Sequence, residues 1–278
     1  MTSLAFLGRV ASAFSLAVTM PLFLGLAEQT PTSSSSSVAE EVTAKRILEY
    51  EDSGSKRTAI EEVELPRDAH LPLTGHPEER LYYFLDGRGI MSIYEEAPEG
   101  DVYEVRQDIA VYLTPGIKHE IVNMGNSPLR YVVFLVKGGV LPEGELSWSA
   151  ISQRGVTVEK PMVGSGVAVT KVFDEGSNPS QREGLHLQIR DIWLRRPQLF
   201  SNAEVITIAP GRSTRLHTHH DSGETCYILY GEGKFVWDDK EIPYEAGSSI
   251  SYPIGVNRKV VNTGKYPASY VVISSFLK

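Results

Sequence analysis

The sequence contains very little cysteine and no cluster of basic residues, and each of these absences excludes a class of protein. Cys226 is the single cysteine among 278 residues, so an intramolecular disulfide framework and a cysteine-rich zinc motif are both excluded. The formal net charge is −8, and no basic cluster stands out, which argues against nucleic acid as a partner. We therefore expect a globular protein in which Cys226 is a buried small hydrophobe.

A long apolar run is also rare in this chain, and the clearest example lies at the N terminus. Residues 1–27 contain one charged residue, Arg9, followed by an apolar run that several polar residues interrupt. Gly25 and Ala27 supply small residues before a cleavage site, so residues 1–27 are predicted to be a signal peptide or targeting leader. The run is short and broken for a membrane-spanning helix, so no stable membrane span is predicted in the mature protein. The leader predicts a secreted, periplasmic or organelle-targeted protein, with an uncleaved anchor as the alternative.

Beyond the leader, short β-rich segments alternate with turn residues, a pattern that is typical of an all-β sandwich or barrel. Residues 28–44 include the serine run Ser33–Ser37 and are predicted to be a disordered linker. Residues 45–140 and 181–278 are predicted to form two β domains, joined by a connecting segment at residues 141–180. Predicted strands include residues 81–84, 89–94, 108–113, 130–136, 166–173, 185–194 and 203–209.

An internal repeat relates the two halves of the chain. The segment at residues 82–89 reads YYFLDGRG and matches CYILYGEG at residues 226–233. The segment at residues 115–123 matches residues 253–262 with one residue inserted. Self-similarity of this kind indicates a duplicated architecture.

Three of the seven histidines lie within four residues, at His217, His219 and His220, and Glu224 follows closely. Because side chains alternate along a strand, His217 and His219 are predicted to share one side of a strand, while His220 points away. The next strand is predicted to bring Glu224 back toward the two imidazoles. Two imidazoles and one carboxylate suit one divalent transition metal (Fe, Mn, Ni, Cu or Zn) and leave coordination positions open.

The spacing around these residues resembles the first signature of the cupin superfamily. It runs from Gly211 through five residues to His217 and His219, then four residues to Glu224, then six residues to Gly231. Together with the repeat, the resemblance covers most of the chain from about residue 60 to the end. It implies a bicupin, with two small jelly-roll β-barrels in tandem.

Residues 247–262 stand at the spacing of the second cupin signature, with one departure. Arg258 occupies the position where the family usually has a histidine as the fourth metal ligand. A guanidinium group has no lone pair for a metal, so the resemblance implies a site of two histidines and one carboxylate. Strand alternation puts Arg258, Val260 and Asn262 on one face, and the resemblance makes that face the barrel interior. Arg258 is predicted to hold an anionic substrate by bidentate hydrogen bonds. The alternative is that Arg258 pairs with Glu224 and replaces the charge of the metal.

The first barrel departs further from the family pattern. His76 stands at one imidazole position of the first signature, but its partner position is Thr74, and Arg80 takes the place of the glutamate. Glu79 lies next to that position, and His119 matches the second signature. His76 and His119 are therefore predicted to form a second, weaker metal site; the alternative is a structural barrel.

Resemblance to bicupins implies metal-dependent chemistry on a small molecule, with Arg258 and Glu224 as the catalytic candidates. The function predicted first is an oxygenase that acts on a small oxygen-rich acid or a phenolic compound. The alternatives are a non-oxidative isomerase, decarboxylase or lyase, and a non-catalytic binding or storage protein. Aromatic residues commonly line such pockets, which makes Tyr227, Tyr252 and Trp237 candidates for the lining. Assembly into a homo-oligomer stays open.

Overall fold

The computed structural model describes residues 41–95, 99–138, 167–171, 187–192 and 200–276, and these residues form an almost entirely β structure. One short 3-10 helix occurs in them, at Tyr50–Asp52. The strands are β1 (Thr43–Leu48), β2 (Thr58–Leu65), β3 (His70–Thr74), β4 (Glu79–Asp86), β5 (Arg88–Tyr94), β6 (Asp101–Arg106), β7 (Ile109–Leu113), β8 (Lys118–Asn123), β9 (Leu129–Val136), β10 (Val167–Lys171), β11 (Leu187–Ile192), β12 (Phe200–Ile208), β13 (Ser222–Tyr230), β14 (Gly233–Trp237), β15 (Lys240–Tyr244), β16 (Ser249–Tyr252), β17 (Arg258–Asn262) and β18 (Ala268–Phe276). The all-β fold class inferred from the sequence is confirmed.

The strands form four sheets, two for each barrel. The first barrel combines a six-stranded sheet, in the order β1-β2-β9-β4-β7-β10, with a four-stranded sheet, β3-β8-β5-β6. The second combines a five-stranded sheet, β11-β12-β18-β13-β16, with a three-stranded sheet, β15-β14-β17. The pairings described between these strands are antiparallel, as in β4 with β9 and β13 with β18. The equivalent strands of the repeat, β4 and β13, thus take equivalent places in their barrels.

Three apolar clusters form the core, one inside each barrel and one between the barrels. Strand alternation decides which cluster receives a side chain. On β4, Tyr82 points into the first barrel, while Tyr83 points into the cluster between the barrels. On β13, Cys226 points into the second barrel, and Tyr227 joins Tyr83 between the barrels. The two barrels therefore pack back to back through this shared cluster, and β4 and β13 are buried on both faces.

Polar contacts also join the barrels. The hydroxyl of Tyr227 donates to Oε2 of Glu62 at 3.1 Å, and the backbone N–H of Gly54 donates to Oγ of Ser251 at 2.9 Å. A Cβ atom at Gly54 would lie 2.4 Å from the backbone nitrogen of Pro253. Glycine is therefore required at position 54, since any side chain would push the segment before β2 away from the second barrel.

Two boundaries differ from the sequence-based interpretation. A strand was expected at residues 166–173, and β10 is found there, but it pairs with β7 and so joins the sheet of the first barrel. The linker was expected to extend to residue 44, whereas β1 begins at Thr43 and pairs with β2. The leader, and most of the linker and connecting segment, lie outside the described residues. Among the described residues, no helix is long and apolar enough to cross a membrane.

Candidate metal centre

The two histidines of the motif lie in an irregular segment between β12 and β13. The prediction of a strand through His217 and His219 is wrong, because this segment pairs with β17 only at isolated bridges, from Ser213 to Val261 and from His217 to Arg258. At the second bridge the backbone N–H of His217 donates to the carbonyl of Arg258 at 3.1 Å, and the reverse bond is 2.9 Å long. This bridge fixes His217 beside Arg258.

The three predicted metal ligands do converge. Nε2 of His217 lies 3.6 Å from Oε2 of Glu224, and Nε2 of His219 lies 3.4 Å from the same oxygen. One ligand atom from each residue falls within 4.8 Å of the others. Metal–nitrogen and metal–oxygen bonds of about 2.0–2.2 Å separate neighbouring ligand atoms by about 3–3.5 Å, so these residues fit a single transition metal ion.

The hydrogen bonds around the imidazoles favour the ring nitrogens that face Glu224 as ligands. Nδ1 of His217 lies 2.9 Å from the carbonyl oxygen of Arg215, an acceptor, so Nδ1 carries the proton and donates. Nδ1 of His219 lies 3.5 Å from Oγ of Ser222. In both residues Nε2 is thereby directed toward Glu224.

Charge at the site centres on Glu224, which is 6% exposed. Burial opposes its ionisation, but contact with the His217 ring and the positive charge of Arg258 outweigh burial, so the pKa of Glu224 is lowered. The interaction with Glu224 raises the pKa of His217, whereas burial lowers the pKa of His219. Without a metal, the carboxylate is thus ionised and His219 is the more readily neutral imidazole.

Arg258 lies in the interior of the second barrel, at 0% exposure. Along β17, Arg258, Val260 and Asn262 are buried while the alternate residues are partly exposed, which confirms the predicted interior face. Nε and Nη2 of Arg258 both lie 3.0 Å from Oε2 of Glu224. The ion pair considered as an alternative role for Arg258 is therefore present in this structure.

Several buried donors in the second barrel have no hydrogen-bond partner. Among the described residues they are Nη1 of Arg258, the hydroxyl of Tyr244 and the hydroxyl of Tyr252; Nη2 of Arg258 has its ion-pair contact with Glu224. The guanidinium carbon of Arg258 lies 5.6 Å from the centre of the Tyr252 ring. Leaving buried donors without acceptors is costly, and a bound ligand rich in oxygen atoms would supply the missing acceptors. Tyr244 was missed in the sequence, and no alternation marks it, because the other four residues of β15 are exposed.

Tyr227 does not line this site, although the sequence suggested it, because its side chain faces the first barrel. It borders instead a cavity of about 620 Å³ between the two barrels. Two of its tyrosine hydroxyls are already paired, with Tyr227 donating to Glu62 and Tyr83 donating to Asp108. Other residues lining this cavity are Leu85, Gln107, Arg130, Leu229, Tyr230, Ala246 and Gly247.

The first barrel brings His76 and His119 together, with ring centres 5.5 Å apart, but its described residues add no third histidine, cysteine or carboxylate ligand. The Nε2 atom of His119 lies 2.6 Å from the hydroxyl of Tyr82, a residue that sequence reasoning missed as a partner. Burial lowers the pKa of His119 to about 4, so the imidazole is neutral and accepts this hydrogen bond. Alternation from Arg80 could have placed Tyr82 on the interior face. Glu79 faces the other way.

The remaining candidates of the first barrel do not complete a site. Oε2 of Glu79 accepts a hydrogen bond from the backbone N–H of Phe200 at 3.3 Å, across the interface between the barrels. Thr74 is exposed, and its hydroxyl donates to the carbonyl of Pro72 at 2.9 Å. Among the described residues, the one group of three or more possible metal ligands is that of the second barrel.

Comparison with known protein families identifies the family of this chain. The Cupin domain model matches residues 61–135 and 204–274. The oxalate-binding protein of Thermotoga maritima is 30% identical over 109 residues, which are 39% of this chain and 88% of that protein. An uncharacterized protein of Methanocaldococcus jannaschii is 34% identical over 55 residues, or 20% of this chain and 40% of that protein.

Solved structures show the same fold at low sequence identity. A mutant of the oxalate decarboxylase of Bacillus subtilis aligns with a TM-score of 0.63 and 15% identity, over 84% of this chain and 73% of that chain. AerE from Microcystis aeruginosa aligns with a TM-score of 0.59 and 17% identity, over 79% and 88% of the two chains. These relatives give the predicted oxygenase no support.

Proposed function

The chain belongs to the cupin family as a bicupin, and from that premise we propose that its second barrel binds one divalent transition metal together with a small carboxylate anion. His217, His219 and Glu224 would hold the metal through Nε2, Nε2 and Oε2. When bound, the metal would act as a Lewis acid toward an oxygen atom of the anion. The first barrel, which lacks a third ligand among its described residues, has a structural role in this proposal.

One observation carries the proposal: a fully buried guanidinium with an unpaired Nη1 lies beside the three possible metal ligands. A guanidinium donates two parallel hydrogen bonds to a carboxylate, which suits an anion more than a neutral ligand. The Tyr252 hydroxyl, also buried and unpaired, adds a further donor in the interior of this barrel. Arg258 would fix one carboxylate group of the ligand, and the surrounding apolar side chains would exclude water.

Oxalate is the anion we propose first, since the names of the T. maritima relative and of the B. subtilis structure both refer to it. The favoured reaction is a non-oxidative decarboxylation, in which the carbon–carbon bond of oxalate breaks, carbon dioxide leaves and a proton is added to yield formate. Arg258 would hold the carboxylate that remains. Binding of oxalate without turnover is the second candidate, and the oxalate-binding relative favours it.

Elemental analysis and product analysis of the purified protein test this proposal. We expect about one transition metal ion per chain, dependent on the three second-barrel ligands, and formate with carbon dioxide from oxalate. His217→Ala should abolish both, whereas His220→Ala is the matched control, because His220 is exposed and adjacent in sequence.

Each result has a distinct meaning. Tight oxalate binding without formate would establish the binding candidate, and oxygen consumption in proportion to substrate would return the oxygenase to first place. A protein that takes up neither metal nor oxalate would refute the proposed function.

A further inference from the structure

We propose that metal and anion enter the second barrel as a coupled pair, each binding weakly without the other. The proposal rests on the proposed function and concerns its regulation. It follows from the position of Arg258, which is paired with the Glu224 carboxylate that the metal would also need.

A single oxygen atom is the point of competition. Oε2 of Glu224 lies 3.0 Å from both Nε and Nη2 of Arg258 and also 3.4 and 3.6 Å from the two imidazoles. The other oxygen, Oε1, faces the Sγ atom of Cys226 at 3.7 Å. A metal held by the two histidines and Glu224 would therefore take an oxygen that now serves the guanidinium. Arg258 would lose the acceptor that it has.

The charges lead to the same conclusion. Arg258 and Glu224 form a buried pair, since their side chains are 1% and 8% exposed. Their opposite charges cancel, so the pair has no net charge. A dication added alone would leave two positive charges in the barrel, and a dianion added alone would leave two negative charges. Uncompensated buried charge is strongly unfavourable, whereas a dication and a dianion together restore neutrality.

The unpaired hydrogen-bond donors provide a place for the second ligand. Nη1 of Arg258 is buried without a partner, so it can donate a hydrogen bond to an anion even while Nε and Nη2 face Glu224. When the metal draws on Glu224, a carboxylate of the ligand would replace that acceptor for Arg258. Occupancy of one position thus improves the other, which is positive and reciprocal coupling between two ligands.

Calorimetric titration of chelator-treated, redialysed protein with Mn²⁺ tests the coupling. We expect the dissociation constant for Mn²⁺ to fall at least about tenfold in the presence of oxalate, within the usual range of coupling between sites. Oxalate also chelates free Mn²⁺, but chelation weakens apparent binding and cannot produce a tightening. Ethylene glycol, an uncharged two-oxygen ligand, serves as the control and should have no effect.

Two substitutions locate the effect at one residue. Arg258→Gln removes the positive charge, so Mn²⁺ alone should bind at least about tenfold tighter than to the unaltered protein, and oxalate should tighten it by a smaller factor than in the unaltered protein. Arg258→His should behave in the same way, because an imidazole supplies a fourth ligand. Arg212→Gln is the matched control: it removes one positive charge from an exposed side chain and should keep the coupling.

The outcomes separate this inference from the function on which it rests. Equal Mn²⁺ affinity with and without oxalate would overturn the coupling and leave the metal site intact. Failure to bind Mn²⁺, and likewise Fe²⁺, Ni²⁺, Cu²⁺ or Zn²⁺, under either condition would overturn the proposed function itself. Since the first comparison uses the unaltered protein, it stands even if an Arg258 variant fails to fold.

Discussion

Replacing Glu224 with glutamine would test how much the metal-free barrel depends on its buried ion pair. In Glu224→Gln the guanidinium of Arg258, at 0% exposure, keeps its charge but loses its anionic partner. Removing one partner of a buried pair costs about 3–5 kcal/mol, which is a large share of a typical total stability of about 5–15 kcal/mol. We expect the free energy of unfolding of the second barrel to fall by about that amount.

An exposed ion pair supplies the matched control. Nε of Arg88 lies 2.7 Å from Oε1 of Glu104, closer than the buried pair, but the two side chains are 69% and 52% exposed. Exposed pairs contribute about 0–1 kcal/mol, so Glu104→Gln should change stability by less than about 1 kcal/mol. If burial rather than distance decides the energy, breaking the buried pair of Arg258 and Glu224 will cost more stability than breaking the shorter, exposed pair of Arg88 and Glu104.

Urea unfolding of the chelator-treated protein, followed by tryptophan emission, measures the effect. Trp237 reports on the second barrel, since its ring centre lies 5.9 Å from that of Tyr252. The double variant Glu224→Gln with Arg258→Met should recover much of the loss, because no unpaired charge then remains. A loss in Glu224→Gln no larger than that of the Glu104→Gln control would refute this account of the pair.

Four further predictions concern the metal, the anion, pH and the N terminus. His217→Ala should remove the bound metal, measured by elemental analysis, whereas the double variant His76→Ala with His119→Ala should leave it; a larger loss from the double variant would mean that the metal is in the first barrel. Arg258→Lys keeps the charge but loses the two-point geometry, so oxalate binding to the metal-loaded protein, measured by calorimetry, should weaken by about 1–3 kcal/mol; unchanged affinity would exclude the clamp. The pKa of His217 is raised in the folded protein, so the protonated ring stabilises the metal-free protein. This stabilisation is complete below the unfolded pKa of about 6.5 and is lost as pH rises through the folded pKa. Urea midpoints measured across this pH window should show the loss, and His217→Gln should abolish the pH dependence. Protein exported by its host should begin near Glu28, and N-terminal sequencing that finds intact Met1 on soluble protein would contradict this.

Period-two alternation and turn spacing were enough to predict much of the second barrel. Alternation grouped Arg258 with Val260 and Asn262, and the cupin resemblance made their face the barrel interior, where Arg258 is fully buried. Gly247 and Gly255, both at signature positions, have φ of 83° and 82°, in the left-handed region that favours glycine. These features depend on local backbone geometry, which the sequence expresses directly.

Contacts between distant strands were harder to predict. Periodicity indicates the two sides of β13 but not that both are buried, and so it could not show that Tyr227 faces the first barrel. Likewise, the strand at residues 166–173 was visible in the pattern, but its pairing with β7 depends on a partner far away in sequence. The ion pair between Arg258 and Glu224 could be named only as an alternative, because distances between side chains settle it.

The apolar cluster between the barrels would make the second barrel unsuited to exist alone. A fragment holding only that barrel would expose the outward face of its five-stranded sheet, including Tyr227, Val271 and Ile273. In the whole chain this face packs on the equivalent face of the first barrel, which carries Tyr83 at the position matching Tyr227. The surface is thus complementary to a related copy of itself, and two such fragments would associate through it as a two-fold symmetric dimer. A single-barrel ancestor that paired in this way would, once duplicated and fused, give an intramolecular dimer in which one copy is free to lose its metal ligands.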